Sequence, residues 1–183
     1  LRARWHRTYV SQPTAGNMLV ASPGLPRNGG STRRWAAHMH RRELNIFADF
    51  HQFYLQDEPA SGDLSASWTD SAVNQLLATA PGTVGVGTET NEHVRVLVEI
   101  LSEEPVGTFD AYDQVNECSI EIAHGPLVVA GCTDDFQDAA RVAIVPGIYR
   151  VRVSYVLSGD ESYLVQLWQA PQVEPMVLKA RAA

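Results

Sequence analysis

Lysine, cysteine and long apolar runs are scarce or absent in this sequence, and the last two shortages each exclude a class of protein. Lys179 is the only lysine beside thirteen arginines, a bias that is typical of GC-rich coding sequence and carries no chemistry of its own. No eighteen consecutive residues are apolar, so no segment predicts a membrane-spanning helix or a membrane partner. The two cysteines are too few for a thiol-rich zinc site, and we predict neither a metal site nor a cofactor.

Charge is distributed unevenly along the 183 residues. Residues 1–42 contain eight arginines and no acidic residue, whereas the rest of the chain has six basic and twenty-one acidic residues, a net charge of −15 with histidine neutral. The first segment has no apolar period of 2 or 3.6, so it predicts a disordered basic leader. Three origins of this leader stay open: a targeting segment, a basic tail, or an upstream region translated by mistake. The tail lacks interleaved aromatic residues, so we predict no nucleic-acid partner.

The clearest structural pattern lies in residues 149–168. Apolar residues alternate with polar ones on both sides of a polar turn, which is the period of half-buried strands. Folding about Asp160 places Leu157 opposite Tyr163 and Tyr155 opposite Val165, with every apolar residue on one face. A slip of one residue would destroy this agreement, so the pattern predicts a β-hairpin.

The remaining patterns predict a mainly β protein: an antiparallel β-sandwich with one short capped α-helix, forming a single domain over residues 43–183. The predicted elements are a first strand at 44–55 with a bulge near His51, a hairpin at 83–101, a hairpin at 118–132 that sets Cys118 opposite Cys132, a strand at 140–145 and an edge strand at 176–178. The helix is predicted over 68–80, capped by Thr69 or Asp70, with an apolar stripe of Val73, Leu76 and Leu77. Because no secretion signal is visible, we favour two free thiols over a disulfide.

Catalytic motifs are missing from the sequence. It contains no nucleophile elbow, no metal-binding histidine pair on a predicted helix and no closely spaced carboxylate–histidine set. We therefore predict that the protein is not an enzyme. An enzyme whose site is assembled from scattered residues such as Asp49, His51 and His93 remains a third hypothesis.

Three short motifs resemble the bacterial competence protein J family. They are IFADFHQF at residues 46–53, WTDSA at 68–72 and the predicted hairpin at 85–100, so the similarity is clearest over residues 46–101. Members of that family are regarded as inhibitors of a DNA-entry nuclease. The resemblance therefore implies a binding protein with no chemistry of its own.

The charge and the resemblance together predict a small cytoplasmic protein that binds and neutralises a basic protein partner, a nuclease or a toxin. Acidic loop residues would mimic phosphates in that complex: Glu103, Glu104, Asp134, Asp135, Asp138, Asp160 and Glu161. The competing hypothesis is a sandwich that binds a carbohydrate or another small molecule, with Trp68, Tyr163 and Trp168 as a stacking platform.

Overall fold

Residues 38–60 and 62–182 are described by a computed structural model, in which eleven strands, one short α-helix and a 3-10 segment at Asp49–His51 form the regular structure. The elements in chain order are β1 His38–Phe47, β2 Gln52–Asp57, α1 Asp70–Gln75, β3 Leu77–Ala80, β4 Thr83–Gly87, β5 His93–Leu101, β6 Gln114–Ile122, β7 Leu127–Gly131, β8 Ala140–Val142, β9 Gly147–Val156, β10 Ser162–Gln169 and β11 Met176–Lys179. This content confirms the predicted mainly β class. None of the helices in the described residues has the length and apolar content needed to cross a membrane.

The strands form two sheets that enclose one core. The six-stranded sheet has the order β1-β5-β10-β9-β6-β11, and the five-stranded sheet has the order β3-β4-β2-β7-β8. A single apolar cluster contains Val96 and Val153 from the first sheet and Phe53 and Val84 from the second, so the core lies between them. The described strand pairs are antiparallel except for β5 and β10, which run parallel. The predicted sandwich is therefore confirmed, with one parallel pair that the sequence did not predict.

The hairpin of β9 and β10 is present, but its register differs from the prediction by two residues. Tyr163 lies opposite Tyr155, and Val165 lies opposite Val153. A shift of two keeps every side chain on its original face, so the apolar pattern fits both registers equally. In the observed register the rings of Tyr155 and Tyr163 meet edge to face, with centroids 5.5 Å apart.

The apolar stretch at residues 44–55 forms two strands in different sheets, so the predicted bulged strand is wrong. β1 belongs to the six-stranded sheet and β2 to the five-stranded sheet. Between them Phe50 and His51 both have φ of 56°, in the left-handed region, and the chain turns sharply there. The change of apolar phase therefore marks a crossing between sheets.

The start of β1 also revises the boundary of the predicted leader. The strand begins at His38, so residues 38–42 pair with β5 instead of belonging to the leader. The rest of the predicted leader, residues 1–37, lies outside the described residues.

Two further predicted hairpins are sheet-to-sheet connections. β4 and β5 lie in different sheets, and so do β6 and β7, whose connection turns at Gly125 with φ of 70°. Cys118 therefore points into the core from the six-stranded sheet, whereas Cys132 is exposed just beyond β7, and both thiols are free. Alternation predicts which side of a strand is buried, but it does not say in which sheet the strand pairs.

The helix is six residues long and ends well before the predicted position. Its predicted cap is present, because the Thr69 hydroxyl oxygen accepts a hydrogen bond from the Ala72 amide at 3.2 Å. Leu76 then adopts a left-handed conformation, and β3 begins at the next residue. Leu76 and Leu77 are buried but Val73 is 53% exposed, so the predicted helical stripe is wrong.

Side chains of the six-stranded sheet fix this early end of the helix. The amides of Gln114 and Asn116 each donate to the Gln75 carbonyl at 2.6 Å, and the Tyr155 hydroxyl donates to the Leu76 carbonyl at 2.8 Å. Carbonyls at the end of a helix have no partner within the helix. Here they are satisfied by buried polar groups across the sandwich.

Candidate partner-binding end of the sandwich

Four loops of the described chain meet at one end of the sandwich, and we call this surface the acidic end. It consists of residues 48–51, 88–92, 132–139 and 157–161. The first two loops are joined by backbone hydrogen bonds from the Ala48 amide to the Glu92 carbonyl at 2.9 Å and from the Thr88 amide to the His51 carbonyl at 2.8 Å. Segments that are distant in sequence therefore share one surface.

The other two loops join this pair through Glu161 and Gly131. The Glu161 carboxylate accepts hydrogen bonds from the backbone amides of Glu89 at 2.9 Å and Thr90 at 3.1 Å. Gly131 ends β7 and passes so close to β1 that an added Cβ would lie 2.1 Å from the Phe47 carbonyl oxygen. Only glycine permits this approach, which sets the loop after β7 beside the end of β1.

Negative charge is concentrated at the acidic end, whose four loops contain eight carboxylates and no lysine or arginine. The eight are Asp49, Glu89, Glu92, Asp134, Asp135, Asp138, Asp160 and Glu161. Arg181 reaches this surface from the segment after β11 and pairs with Glu89. A surface of this kind has a negative potential that attracts cationic partners and repels anionic ones.

Asp134, Asp135 and Asp138, three of the predicted partner contacts, are exposed in the loop after β7. Asp134 accepts a hydrogen bond from the Gly131 amide at 2.8 Å, and Asp135 accepts one from the Gln137 amide at 3.0 Å. These bonds fold the loop onto itself, so it presents its carboxylates from a defined conformation.

The thiol of Cys132 lies in the field of these carboxylates. Partial burial is the main cause that raises its pKa, and the charges of Asp49 and Asp134 raise it further. The pKa of the Tyr54 hydroxyl is raised in the same way, first by burial and then by Cys132 and Asp134. Tyr54 in β2 and Cys132 in the loop after β7 therefore share one electrostatic environment.

Glu161 anchors the acidic end from within. Besides its two backbone donors, it accepts hydrogen bonds from the Thr90 hydroxyl at 2.5 Å and from the Tyr163 hydroxyl. Tyr163 is buried, and burial followed by the Glu161 carboxylate raises the pKa of Tyr163 far above its ordinary value. Asp160 is exposed in the turn beside it, so partner contact stays a prediction for Asp160 and is less suited to Glu161.

Glu103 and Glu104 follow the opposite end of β5, so the seven predicted contacts do not form one surface. The Glu104 carboxylate accepts a hydrogen bond from the Arg152 guanidinium at 2.7 Å. That guanidinium lies over the rings of Phe109 and Trp168, at 5.3 and 4.9 Å from their centroids. Glu104 therefore holds the loop after β5 onto the outer face of the six-stranded sheet.

Arg152 belongs to a row of polar side chains that crosses this outer face on five adjacent strands. In order of the strands, the row is Arg41, Glu99, Gln166, Arg152 and Glu117. Glu99 lies 3.8 Å from Arg41 and accepts a hydrogen bond from Gln166 at 3.0 Å, and Glu117 accepts one from Arg152 at 2.6 Å. Part of the row lies under the loop after β5, where a cleft of about 300 Å³ remains.

The three aromatic residues of the alternative ligand site lie in three different layers. Trp68 packs over Gly85 on the outer face of the five-stranded sheet, where an added Cβ would lie 2.8 Å from the indole ring. Tyr163 lies in the core against Phe53, with ring centroids 5.3 Å apart. Trp168 covers Arg152 on the outer face of the other sheet. The structure therefore does not bring them together as one stacking platform.

Asp49, His51 and His93, the residues of the enzyme hypothesis, all lie near the acidic end. The Asp49 carboxylate accepts a hydrogen bond from the neighbouring Phe50 amide at 2.9 Å, and the His93 ring packs on Phe47 with centroids 5.2 Å apart. They line none of the five clefts described in the structure. In the described part of the chain, no group of three histidine, cysteine or carboxylate side chains is placed to hold a metal ion.

Sequence reasoning missed Asp49, Glu89 and Glu92 as members of one charged surface with Asp134 and Asp160. Each residue is visibly acidic and lies beside a strand end, but only the sheet crossings bring the five together. The same crossings place Phe50 at the acidic end. The prediction of one continuous strand over residues 44–55 instead assigned Phe50 to the apolar side of that strand. A positive φ at two adjacent residues is not visible in the sequence.

The fold itself is shared with proteins of known structure. The sequence matches no protein-family model, and no curated protein matches it significantly. The structure is similar to ComJ from Bacillus subtilis, described as an inhibitor of the DNA degrading activity of NucA, with a TM-score of 0.59 and 17% identity over 75% of this chain and 100% of ComJ. It is also similar to the protein described as crocagin biosynthetic gene J, with a TM-score of 0.54 and 16% identity over 72% and 98% of the two chains.

These two similarities show that the described chain shares its fold with both proteins. The resemblance to the competence protein J family that the motifs at residues 46–101 predicted is thereby confirmed as a shared fold. At these identities the comparison shows the fold and leaves partner and activity to argument.

Proposed function

We propose that this protein is an inhibitor-type binding protein that neutralises a basic protein partner, a nuclease or a toxin, by docking its acidic end on the partner. The observation that carries the proposal is the gathering of carboxylates from four separate loops on one end of a ComJ-like sandwich. A dispersed set of acidic residues would serve solubility alone. A concentrated set on one end also favours one docking orientation.

The charge of this surface suits a nuclease. Proteins that bind nucleic acid hold phosphates with arginine and lysine side chains, and exposed carboxylates offer such a surface anions at comparable spacing. Complementary charge also speeds the encounter of two proteins and disfavours wrong partners. Asp134, Asp135, Asp138 and Asp160 are the exposed carboxylates of the earlier prediction that this proposal retains.

A reducing compartment forms part of the same proposal. Cys132 is exposed and free, as cytosolic thiols are. An exposed free thiol is uncommon in secreted domains, where cysteines pair. A cytoplasmic inhibitor would protect its own cell from the partner.

Capture of the partner tests the proposal directly. The full chain is immobilised, exposed to extract of its native host, and washed at about 50 mM and then about 500 mM salt, which shortens the screening length roughly threefold. We expect one basic protein to be retained at low salt and released at high salt. Its purified form should degrade nucleic acid or inhibit growth, and the full chain should block that activity. If no basic protein is retained, or if the captured activity persists in excess chain, the proposal fails.

A further inference from the structure

Phe50 is the only exposed aromatic side chain in the described part of the chain, and it stands at the acidic end. Its side chain is 69% exposed. The neighbouring apolar residues Ala48 and Phe53, by contrast, are both fully buried in the core. The exposure of this one ring is therefore a local exception within a well-packed crossing.

The backbone at Phe50 is also unfavourable for the residue it carries. Phe50 and His51 have φ of 56° in succession, and a bulky side chain is a genuine outlier in this region. Glycine, or asparagine to a lesser degree, adopts the conformation readily. Strain of this kind, observed at an exposed residue, points to a function for the side chain rather than to a role in folding.

The turn is held without the Phe50 ring. The Asp49 carboxylate accepts a hydrogen bond from the Phe50 amide at 2.9 Å, and the Asn91 side chain accepts one from the His51 amide at 3.2 Å. The His51 carbonyl accepts the Thr88 amide at 2.8 Å. Each of these bonds involves a backbone group of Phe50 or His51. The turn is therefore fixed without any hydrogen bond that needs the Phe50 ring.

We propose that Phe50 is the apolar anchor of the acidic end, inserting into a pocket on a basic protein partner while the surrounding carboxylates pair with the basic rim of that pocket. This inference rests on the proposed function and adds the residue that fixes the docked position. Binding energy in protein interfaces concentrates in a few central aromatic side chains surrounded by polar groups. A ring carried on a hydrogen-bonded turn loses little backbone freedom when it docks.

Charge decides which class of partner covers Phe50. The loops around it carry eight carboxylates, which repel nucleic acid and the anionic surface of a membrane alike. A basic protein surface is the complementary occupant. The pocket that receives the ring should therefore be apolar at its base and lined by arginine or lysine at its edge.

Substitutions at position 50 test the anchor. Phe50→Gly and Phe50→Ala should weaken binding to the captured partner by at least about tenfold, the effect expected of an interface hot spot. Val106→Ala is the matched control, because Val106 is 86% exposed in the loop after β5, away from the acidic end. The control should bind as the unaltered chain does. The melting temperature of Phe50→Gly should equal or exceed that of the unaltered chain, since glycine relieves the strain.

Photocrosslinking separates failure of this inference from failure of the proposed function. Full chains carrying Phe50→p-benzoylphenylalanine or Val106→p-benzoylphenylalanine are irradiated in host extract. A crosslink to the captured basic protein from position 50 and not from position 106 supports the anchor. Capture with equal affinity by the Phe50 variants, or a crosslink from position 106 alone, overturns the anchor and leaves the proposed function standing. Absence of any basic partner overturns both, and a large fall in melting temperature for both Phe50 variants shows that the ring serves the fold instead.

Discussion

Asp57 shows how one buried carboxylate fixes a connection between the two sheets. It is 2% exposed at the end of β2 and accepts hydrogen bonds from the amides of Ala123 at 2.9 Å, His124 at 3.2 Å and Gly125 at 2.6 Å, in the turn from β6 to β7. Asp57→Ala should lower the free energy of unfolding by roughly 2–3 kcal/mol, because it strands these donors. Urea denaturation followed by tryptophan fluorescence measures the change. Asp63→Ala, at an exposed residue, is the control, and equal losses for both variants would contradict this account.

The two cysteines should differ sharply in reactivity. Cys118 is fully buried, and burial, with a smaller effect of Glu117, raises the pKa of Cys118 to about 12, so its thiol stays protonated and unreactive in the native state. Cys132 is exposed, with a pKa raised less. A thiol reagent should therefore label one cysteine in the native protein and two in denaturant. Labelling of Cys132 should quicken as pH rises, since ionisation creates the thiolate.

Substituting a carboxylate near Cys132 tests the cause of its raised pKa with the same labelling measurement. Asp134→Asn removes a charge that raises the pKa of Cys132, so labelling at a fixed pH near 8 should be faster than in the unaltered chain. Asp63→Asn lies outside the acidic end and should leave the rate unchanged. If neither substitution changed the rate, Asp134 would not lie beside Cys132 as described. Recovery of both thiols only after reduction would instead indicate a disulfide.

The buried pair of Glu117 and Arg152 should contribute most of the stability of the polar row across the six-stranded sheet. Glu104 and Glu117 both bind Arg152, but their side chains are 62% and 4% exposed. Glu117→Gln should lower the free energy of unfolding by about 3 kcal/mol, because it leaves the buried Arg152 guanidinium with only the exposed Glu104 as a counter-charge. Glu104→Gln should cost less than about 1 kcal/mol, as exposed ion pairs do. Thermal or urea unfolding distinguishes the two, and similar small losses would mean that water reaches Arg152.

A double substitution separates the charge from the packing in this row. Glu117→Met combined with Arg152→Met removes both charges and should recover most of the stability that Glu117→Gln loses, since buried ion pairs seldom outperform apolar residues of similar volume. Failure to recover would assign the loss to groups that the pair also contacts: Arg150, which donates to Glu117 at 3.0 Å, and the rings of Phe109 and Trp168 that flank the Arg152 guanidinium.

The sequence predicts a strand or helix where its side-chain pattern depends on burial alone. It does not predict which strands pair with each other in a sheet. Alternation located β5, β9 and β10, and the cap at Thr69 located the helix start. It assigned residues 44–55 to one strand because both β1 and β2 alternate. The change of sheet between them takes place in backbone angles at Phe50 and His51, which the side-chain pattern does not encode.

At the scale of the whole molecule, the candidate site depended on the same crossings. Five of the seven predicted contacts, Asp134, Asp135, Asp138, Asp160 and Glu161, do lie at one end, since polar loops follow strand ends. Glu103 and Glu104 lie elsewhere because β5 carries them to its far end. The sequence shows how much charge the loops carry, whereas the strand order shows which loops meet.

The total charge of the molecule and the position of that charge affect the association rate differently. Charge-reversal variants distinguish the two effects. Asp134→Lys with Asp135→Lys should slow association with the captured partner by about tenfold at low salt, because steering depends on the field at the docking surface. Glu121→Lys with Glu174→Lys changes the total charge by the same amount at the other end, where both residues border one cleft. Stopped-flow rates at rising salt measure both variants, with melting temperatures as a check on folding. The first variant should also show a flatter salt dependence, whereas the control should keep the steep dependence of the unaltered chain. Equal slowing of both would mean that the partner responds to the total charge of the molecule, and the docking site would then have to be sought away from the loop after β7.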